Sequence, residues 1–317
     1  MDAATLSLGA GLVTIIISCT IRLHVGFLAI SLAWIVGVYV AGMSANEGMA
    51  GFPTRLFLTL AGVTLLFSQA QANGTLDRIA HKAVHLCRGN VGVMPMMFFL
   101  LAFGLASIGP GNIAATALVA PMAMAVSWQV GVPPFLMAIM AGNGALAGTL
   151  SPFAPTGIVA NGVMERIGLA GVEWYTYTYN AAAHAFVAFA AFALFGGLRL
   201  FKEGRGSVQA VHTDSSPMEM HHWLTLCGIG TFVVGVAAFG THVGMTGFTI
   251  ASILILLRTV DQRQAIQKMP WGVILMVTGV TVLVSILERT EGMQLFIDGM
   301  ARLVTPDSLA PIVAFGA

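Results

Sequence analysis

Ser107-Ile108-Gly109-Pro110-Gly111-Asn112 stands inside a stretch, residues 89–164, that holds no Asp, Glu, Lys, Arg or His. Glycine and proline cut this stretch into short apolar pieces. One runs over 91–106, the hexapeptide follows, and the next runs over 113–127. A third runs over 133–141, then Gly142-Asn143-Gly144, then on through Ser151-Pro152 to Met164. A helix needs about 20 apolar residues to cross the hydrocarbon core of a bilayer. The first two pieces are short for two crossings and predict a re-entrant hairpin over 91–127, its tip at 107–112. The later pieces predict one discontinuous helix over 133–164, opened near 142–149. Irregular backbone at membrane depth is tolerated only when buried in protein or lining a wet cavity. Two breaks in succession therefore mark a site.

The composition of the whole chain agrees with a membrane setting. Hydrophobic residues make up 57% and charged residues 9%, with a mean hydropathy of +0.88; a soluble domain carries about 25% charged residues. The net charge of +1 gives no basis for a nucleic-acid partner. Cys19, Cys87 and Cys227 lack metal or redox spacing and read as free thiols. Further spans are expected over 4–21, 25–43, 55–71, 180–200, 223–240, 244–257 and 272–287. No cleavable leader is evident, so 4–21 reads as the first span. Over 72–90 one helical face carries Leu76, Ile79, Ala83, Leu86 and Cys87. Asp77, Arg78, His81, Lys82, His85 and Arg88 lie elsewhere, the pattern of a helix on the membrane surface.

The chain also repeats itself. His24-Val25-Gly26 returns 218 residues on as His242-Val243-Gly244. Pro53, then Gly62-Val63-Thr64-x-Leu66-x-Ser68, returns 217 residues on as Pro270, then Gly279-Val280-Thr281-x-Leu283-x-Ser285. Internal duplication is a common build of secondary transporters. The expected organisation is a first repeat over 1–201, a polar linker over 202–222 and a second repeat over 223–317. The counterpart of position 107 would fall beyond Ala317, so the second repeat is expected to be truncated. Basic residues orient the spans. Arg22, Arg78, Lys82 and Arg88 share a face against Arg55, which makes that face cytoplasmic and puts the N-terminus outside. An odd number of crossings then inverts the second repeat. Arg199, Lys202, Arg205, Arg258, Arg263 and Lys268 fall inside, and Arg289 and Arg302 outside. Trp174, Tyr175, Tyr177 and Tyr179 would form an outer interfacial belt.

A small anion entering the uncharged stretch must exchange its hydration shell for other donors. Broken helices supply them as backbone N–H groups with partial positive charge. Gly109 and Gly111 let the backbone approach a ligand, and Pro110 keeps the helix from closing. Ser107, Asn112 and Thr116 offer side-chain groups beside the first break; Asn143, Ser151 and Thr156 do so at the second. Carbonyl oxygens freed at the helix ends, with Asn112, Gly142, Asn143 and Thr149, would suit Na⁺. Proton coupling usually uses an intramembrane Asp, Glu or His relay. The breaks carry none, which favours Na⁺ over H⁺; His184 and Glu288 are the nearest ionisable groups. No resident cofactor or metal is expected. His81 and His85 read as snorkelling groups, and no paired carboxylates or nucleophile–base set suggests an enzyme. The bland alternative at both breaks is helix packing through small residues.

The run from Val25-Gly26-Phe27-Leu28 through Ala41-Gly42-Met43 and Gly51-Phe52-Pro53-Thr54 leads to Leu65-Leu66-Phe67-Ser68-Gln69-Ala70-Gln71. With Ser107–Thr116 and Ser151-Pro152-Phe153-Ala154-Pro155-Thr156-Gly157, it resembles the MatC-type dicarboxylate carriers. These are similar in architecture to the divalent-anion/sodium symporters of the ion transporter superfamily. The resemblance implies an all-α polytopic fold of inverted repeats, each with a re-entrant hairpin and a broken helix. It also implies secondary transport of malonate or a related short dicarboxylate across the inner membrane, and a homodimer. Ser107, Asn112 and Thr116 match the superfamily's Ser-Asn-Thr residue types in looser spacing. Family members continue with a second hairpin, a second broken helix and a last span, so a missing C-terminal half is expected. Two other readings remain: an inorganic-anion or metal–citrate carrier of the same superfamily, and a truncated or split membrane subunit.

Overall fold

The computed structural model describes residues 2–21, 23–86, 90–200 and 217–303, which form helices and connecting turns without a strand. In chain order α1 is Ala3–Thr20 and α2 is Val25–Trp34, which continues as a π-helix over Ile35–Val40. Then follow α3 (Ala45–Met49), α4 (Thr54–Ala72), α5 (Thr75–Leu86), α6 (Met94–Ile108) and α7 (Gly111–Val130). Next are α8 (Pro134–Ala147), α9 (Pro155–Arg166), α10 (Glu173–Leu194) and α11 (Gly197–Leu200). The last are α12 (Met220–Phe239), α13 (Val243–Leu256), α14 (Gln262–Gln267), α15 (Trp271–Arg289) and α16 (Gly292–Leu303). Among the described residues α1, α7 over Gly111–Trp128, and α15 are long and apolar enough to cross a membrane, and five shorter helices are apolar.

Most spans read from hydropathy coincide with helices to within a few residues. Three readings need correction. The helix expected over 180–200 starts at Glu173, so Trp174, Tyr175, Tyr177 and Tyr179 lie in its first turns. It stops at Leu194, and Gly196, with φ 84°, turns the chain into α11. The linker expected to reach residue 222 gives way to α12 at Met220, so His221 and His222 are helical. Residues 201–216, with Lys202 and Arg205, lie outside the described residues, as do Arg22, Cys87, Arg88 and 304–317. The third correction concerns the second break. α8 runs unbroken through Gly142-Asn143-Gly144, and the chain leaves the helix only over 148–154.

The chain divides into two compact units. One comprises residues 1–57 with 270–317; the other comprises 58–269. In the first, α15 lies along α2, and α1 packs on both and on α16. Its core is Ala10, Ala29, Ala33, Val36, Val282, Leu283, Ile286 and Leu287. Short α3 is fixed by a capping box. Ser44 Oγ accepts from Glu47 N at 3.2 Å, while Glu47 Oε2 accepts from Ser44 N at 2.7 Å. Arg289 Nη1, at the end of α15, donates to the Glu47 carbonyl at 3.0 Å. The backbone N–H of Ser44, then its hydroxyl, then Arg289 hold the Glu47 carboxyl below its ordinary range. A carboxylate depressed on folding adds stability above its unfolded pKa, and this is lost as pH falls through the folded value. Thermal unfolding across the carboxylate range checks this: Glu47→Gln flattens the acid-side loss of stability slightly, and an identical slope in both proteins would exclude the box as its source.

In the second unit α8 packs against α6, α7 and α10, and α12 against α13. Met94, Phe98, Leu136, Met137, Met140, Phe192 and Phe232 are fully buried there. The amphipathic pattern over 72–90 becomes α5, with Leu76 buried in this core, Ile79 packed against it, and Asp77 and Lys82 exposed. Lys82 Nζ lies 5.4 Å from the centre of the Trp223 ring, a cation–π distance.

The sequence repeat reappears as a repeated contact. In the first unit a Cβ on Gly26 of α2 would strike the Leu275 carbonyl and, at 2.9 Å, Met276 Cα of α15. In the second unit a Cβ on Gly244 of α13 would lie 2.7 Å from Leu58 O and 2.5 Å from Thr59 Cα of α4. The partner glycines correspond too: a Cβ on Gly279 would strike the Gly26 carbonyl, and one on Gly62 the Gly244 carbonyl. Leu58, Thr59 and Gly62 are the counterparts of Leu275, Met276 and Gly279 at the 217-residue offset. The second helix of each copy thus packs on the fourth helix of the other. The entry to both second helices matches as well, with φ −69°, ψ 114° at His24 and φ −65°, ψ 117° at His242.

Candidate functional site

Both interruptions lie in the second unit, and they meet there. α6 ends at Ile108 and α7 starts at Gly111. Gly109 adopts φ 155° and Gly111 φ 78°, values that L side chains rarely take. A Cβ on Gly109 would also enter the Phe67 ring. The second interruption follows from proline. Ala154, before Pro155, is extended at φ −88°, ψ 148°, and Pro155 occupies the first turn of α9. The two helix ends are brought together because Gly148 fits against α6. Its Cβ position lies 2.6 Å from Ala106 Cβ and 2.8 Å from Ser107 N. The two helix starts adjoin likewise, with the Cβ position of Gly111 3.1 Å from Pro155 Cδ.

The ends and the starts differ in how their polar groups are satisfied. The last carbonyls of an α-helix and its first N–H groups have no partner within the helix. At the ends, side chains take the carbonyls. Ser151 Oγ donates to the Ser107 carbonyl at 2.6 Å. Asn180 Nδ2 donates to the Leu146 and Ala147 carbonyls at 2.9 and 3.2 Å. At the starts, neither Pro110 before α7 nor Ala154 before α9 provides a side-chain cap. Two adjacent helix N-termini therefore keep free donors and the positive end of the helix dipole, while the negative ends are quenched. Such a pair of helix starts has the chemistry that suits an anion.

The structure distributes the expected site residues unevenly. Ser107, Gly109, Gly111 and Ser151 converge at the paired breaks, with Ser107 half-buried and Ser151 buried. Asn112 is the second residue of α7 and half-buried; Thr116 lies one turn on and is exposed. Thr156 is exposed in the first turn of α9. Gly142 and Asn143 sit within α8, where the backbone ladder engages the Gly142 carbonyl. Asn143 Nδ2 donates to Ile139 O at 3.0 Å, and its Oδ1 faces His184 Nδ1 at 3.1 Å. With the amide oxygen as acceptor, that imidazole nitrogen carries the proton. Thr149 Oγ1 donates back to Ala145 O at 3.2 Å. Gly144 serves packing, since a Cβ there would strike the Phe99 carbonyl of α6, whereas Gly142 faces open space.

Sequence reasoning missed α10 as a wall of the site. Tyr177, Asn180 and His184 follow one another at helical spacing and reach Ser107, the end of α8 and Asn143 in turn. Three hydrogen-bonding side chains at helical spacing, reaching into the apolar second half of the helix, were the available signal. Aromatic rings complete the surroundings: Tyr177 stacks on Phe103 at 6.2 Å and lies 6.0 Å from Trp174, which contacts Phe153 at 6.2 Å.

Comparison with known families places residues 1–149 in the one described as dicarboxylate carrier protein MatC N-terminus. The matched region runs from α1 to the turn after α8 and includes the whole of the first break. No curated protein matches the chain. Over residues 1–149 of its 317, the chain is thus similar to the MatC-type dicarboxylate carriers.

Proposed function

We propose that this protein carries small dicarboxylates such as malonate across the inner membrane by cation-coupled secondary transport. The reading rests on one observation: the uncapped starts of α7 and α9 adjoin, while the ends of α6 and α8 are capped. Neutral donors hold a dianion without the ion-pair strength of Lys or Arg, so release stays fast. The α6–α7 pair is the re-entrant hairpin of an inverted repeat in this reading, and the N-terminus faces outside. The exchanged Gly26–Gly279 and Gly244–Gly62 contacts support the duplication.

Labelled malonate uptake by cells making the whole chain tests the site. Losing one donor to the anion costs about tenfold in transport efficiency, so Asn112→Ala and Ser107→Ala each lower uptake by about that factor. Unchanged uptake in both removes the first break from the site. Competition by succinate, phosphate and metal–citrate separates the dicarboxylate reading from its inorganic-anion rival.

For coupling, Na⁺ is the leading reading, and one contact favours a proton instead. His184 faces Asn143 at 3.1 Å, and α8 carries no ionisable side chain of its own. Uptake driven by an imposed Na⁺ gradient at constant pH supports Na⁺; uptake driven by a pH gradient without Na⁺, and lost in His184→Gln, supports the proton.

A further inference from the structure

Resting on the carrier site above, we propose that Tyr177 is a positioning residue that makes the Ser107 hydroxyl a donor to the carried dicarboxylate. A serine hydroxyl has one proton to give and two lone pairs to receive with. In membrane helices that proton usually returns to the carbonyl four residues back. Thr64, Ser68, Thr278 and Thr281 do this here, at 2.6–2.8 Å. Ser107 is engaged differently. Its Oγ receives the Tyr177 hydroxyl at 2.9 Å, while its carbonyl receives Ser151 Oγ at 2.6 Å. The bonds of Ser107 run to Ser151 and Tyr177 rather than to the Phe103 carbonyl four residues back, which lies against α8, 2.8 Å from where a Cβ on Gly148 would stand. One lone pair of Ser107 is therefore filled and its proton remains to be given.

Ser107 is half-buried in the last turn before the first break. Its proton is thus presented where the free N–H groups of α7 begin. Ser151 differs, because its own proton is committed to the Ser107 carbonyl and its Oγ accepts from Phe153 N at 3.3 Å. Tyr177 is held by its stack on Phe103, with the rings inclined by 5°. Tyr177→Phe keeps that stack and deletes only the O–H.

The test is initial-rate malonate uptake by cells making the whole chain, normalised to folded protein. Tyr177→Phe raises KM about five- to tenfold, the worth of one neutral hydrogen bond, and leaves kcat within about twofold. Ser107→Ala does the same, and the double variant is no worse than Ser107→Ala alone, because Tyr177 acts through Ser107. An unchanged KM in Tyr177→Phe, or losses that add in the double variant, overturns the proposal while Ser107 keeps its place in the site. An unchanged KM in Ser107→Ala, or no uptake by the unaltered chain, overturns both the proposal and the site reading beneath it.

Discussion

With the paired breaks as the proposed malonate site, Gly148→Val lowers uptake about a hundredfold per folded molecule and lowers the unfolding temperature as well. Gly148 is the first residue past α8, and a Cβ there would lie 2.6 Å from Ala106 Cβ, 2.8 Å from Phe103 O and 2.8 Å from Ser107 N. Two of those atoms are backbone and cannot rotate aside. Overpacking of this kind costs about 1–3 kcal/mol. Relief requires the end of α6 to move away from α8. That displaces Ser107, its bond from Ser151 and its bond from Tyr177 together. Misplacing binding groups by about 1 Å can cost a hundredfold, so transport falls further than stability alone explains. Gly142→Ala is the control. It lies two turns earlier on the same helix with nothing within 4 Å of its Cβ position. Ala there stabilises the helix by about 0.5–1 kcal/mol and leaves uptake intact. If Gly148→Val retained uptake within about threefold, the paired breaks would not form the site.

The two breaks were unequally legible in the sequence, for a physical reason. Gly109-Pro110-Gly111 cannot continue a helix, since proline lacks the N–H and both glycines take backbone angles outside the helical region. Gly142-Asn143-Gly144 resembles it in composition, but its Gly144 serves the other use of glycine, close approach of two helices. Periodicity cannot separate those uses, because the difference lies in what faces the glycine. Pro152 and Pro155 marked the true interruption, through the residues before them. The spans were legible because length and hydropathy are local properties. The role of α10 was not, because Tyr177–Ser107 and His184–Asn143 join residues 70 and 41 positions apart. The expected cation ligands rested on an opening at 142–149. With α8 closed there and Asn180 on its terminal carbonyls, fewer oxygens are free than the sequence suggested.

Gly26→Val and Gly244→Val destabilise the protein by similar amounts, about 3 kcal/mol each. Both glycines sit where one helix meets the backbone of another. The new Cβ meets Leu275 and Met276 in one case and Leu58 and Thr59 in the other. A carbonyl and a Cα cannot yield by rotamer change, so the helices must separate, at the upper end of the usual overpacking cost. The equality is the informative part. If the two copies pack by the same rule with partners exchanged, matching insertions meet matching obstacles, and unfolding in detergent midpoints should fall together. Gly9→Ala, on α1 with nothing within 4 Å of its Cβ position, controls for the detergent and for helix propensity. A Gly244 variant as stable as the unaltered chain beside a crippled Gly26 variant would mean that the sequence repeat does not govern the packing. The same result in reverse would mean the same. Comparable losses would instead tie the spaced motifs His-Val-Gly and Gly-Val-Thr to one contact used twice, which is the physical requirement for two copies of a segment to build a carrier between them.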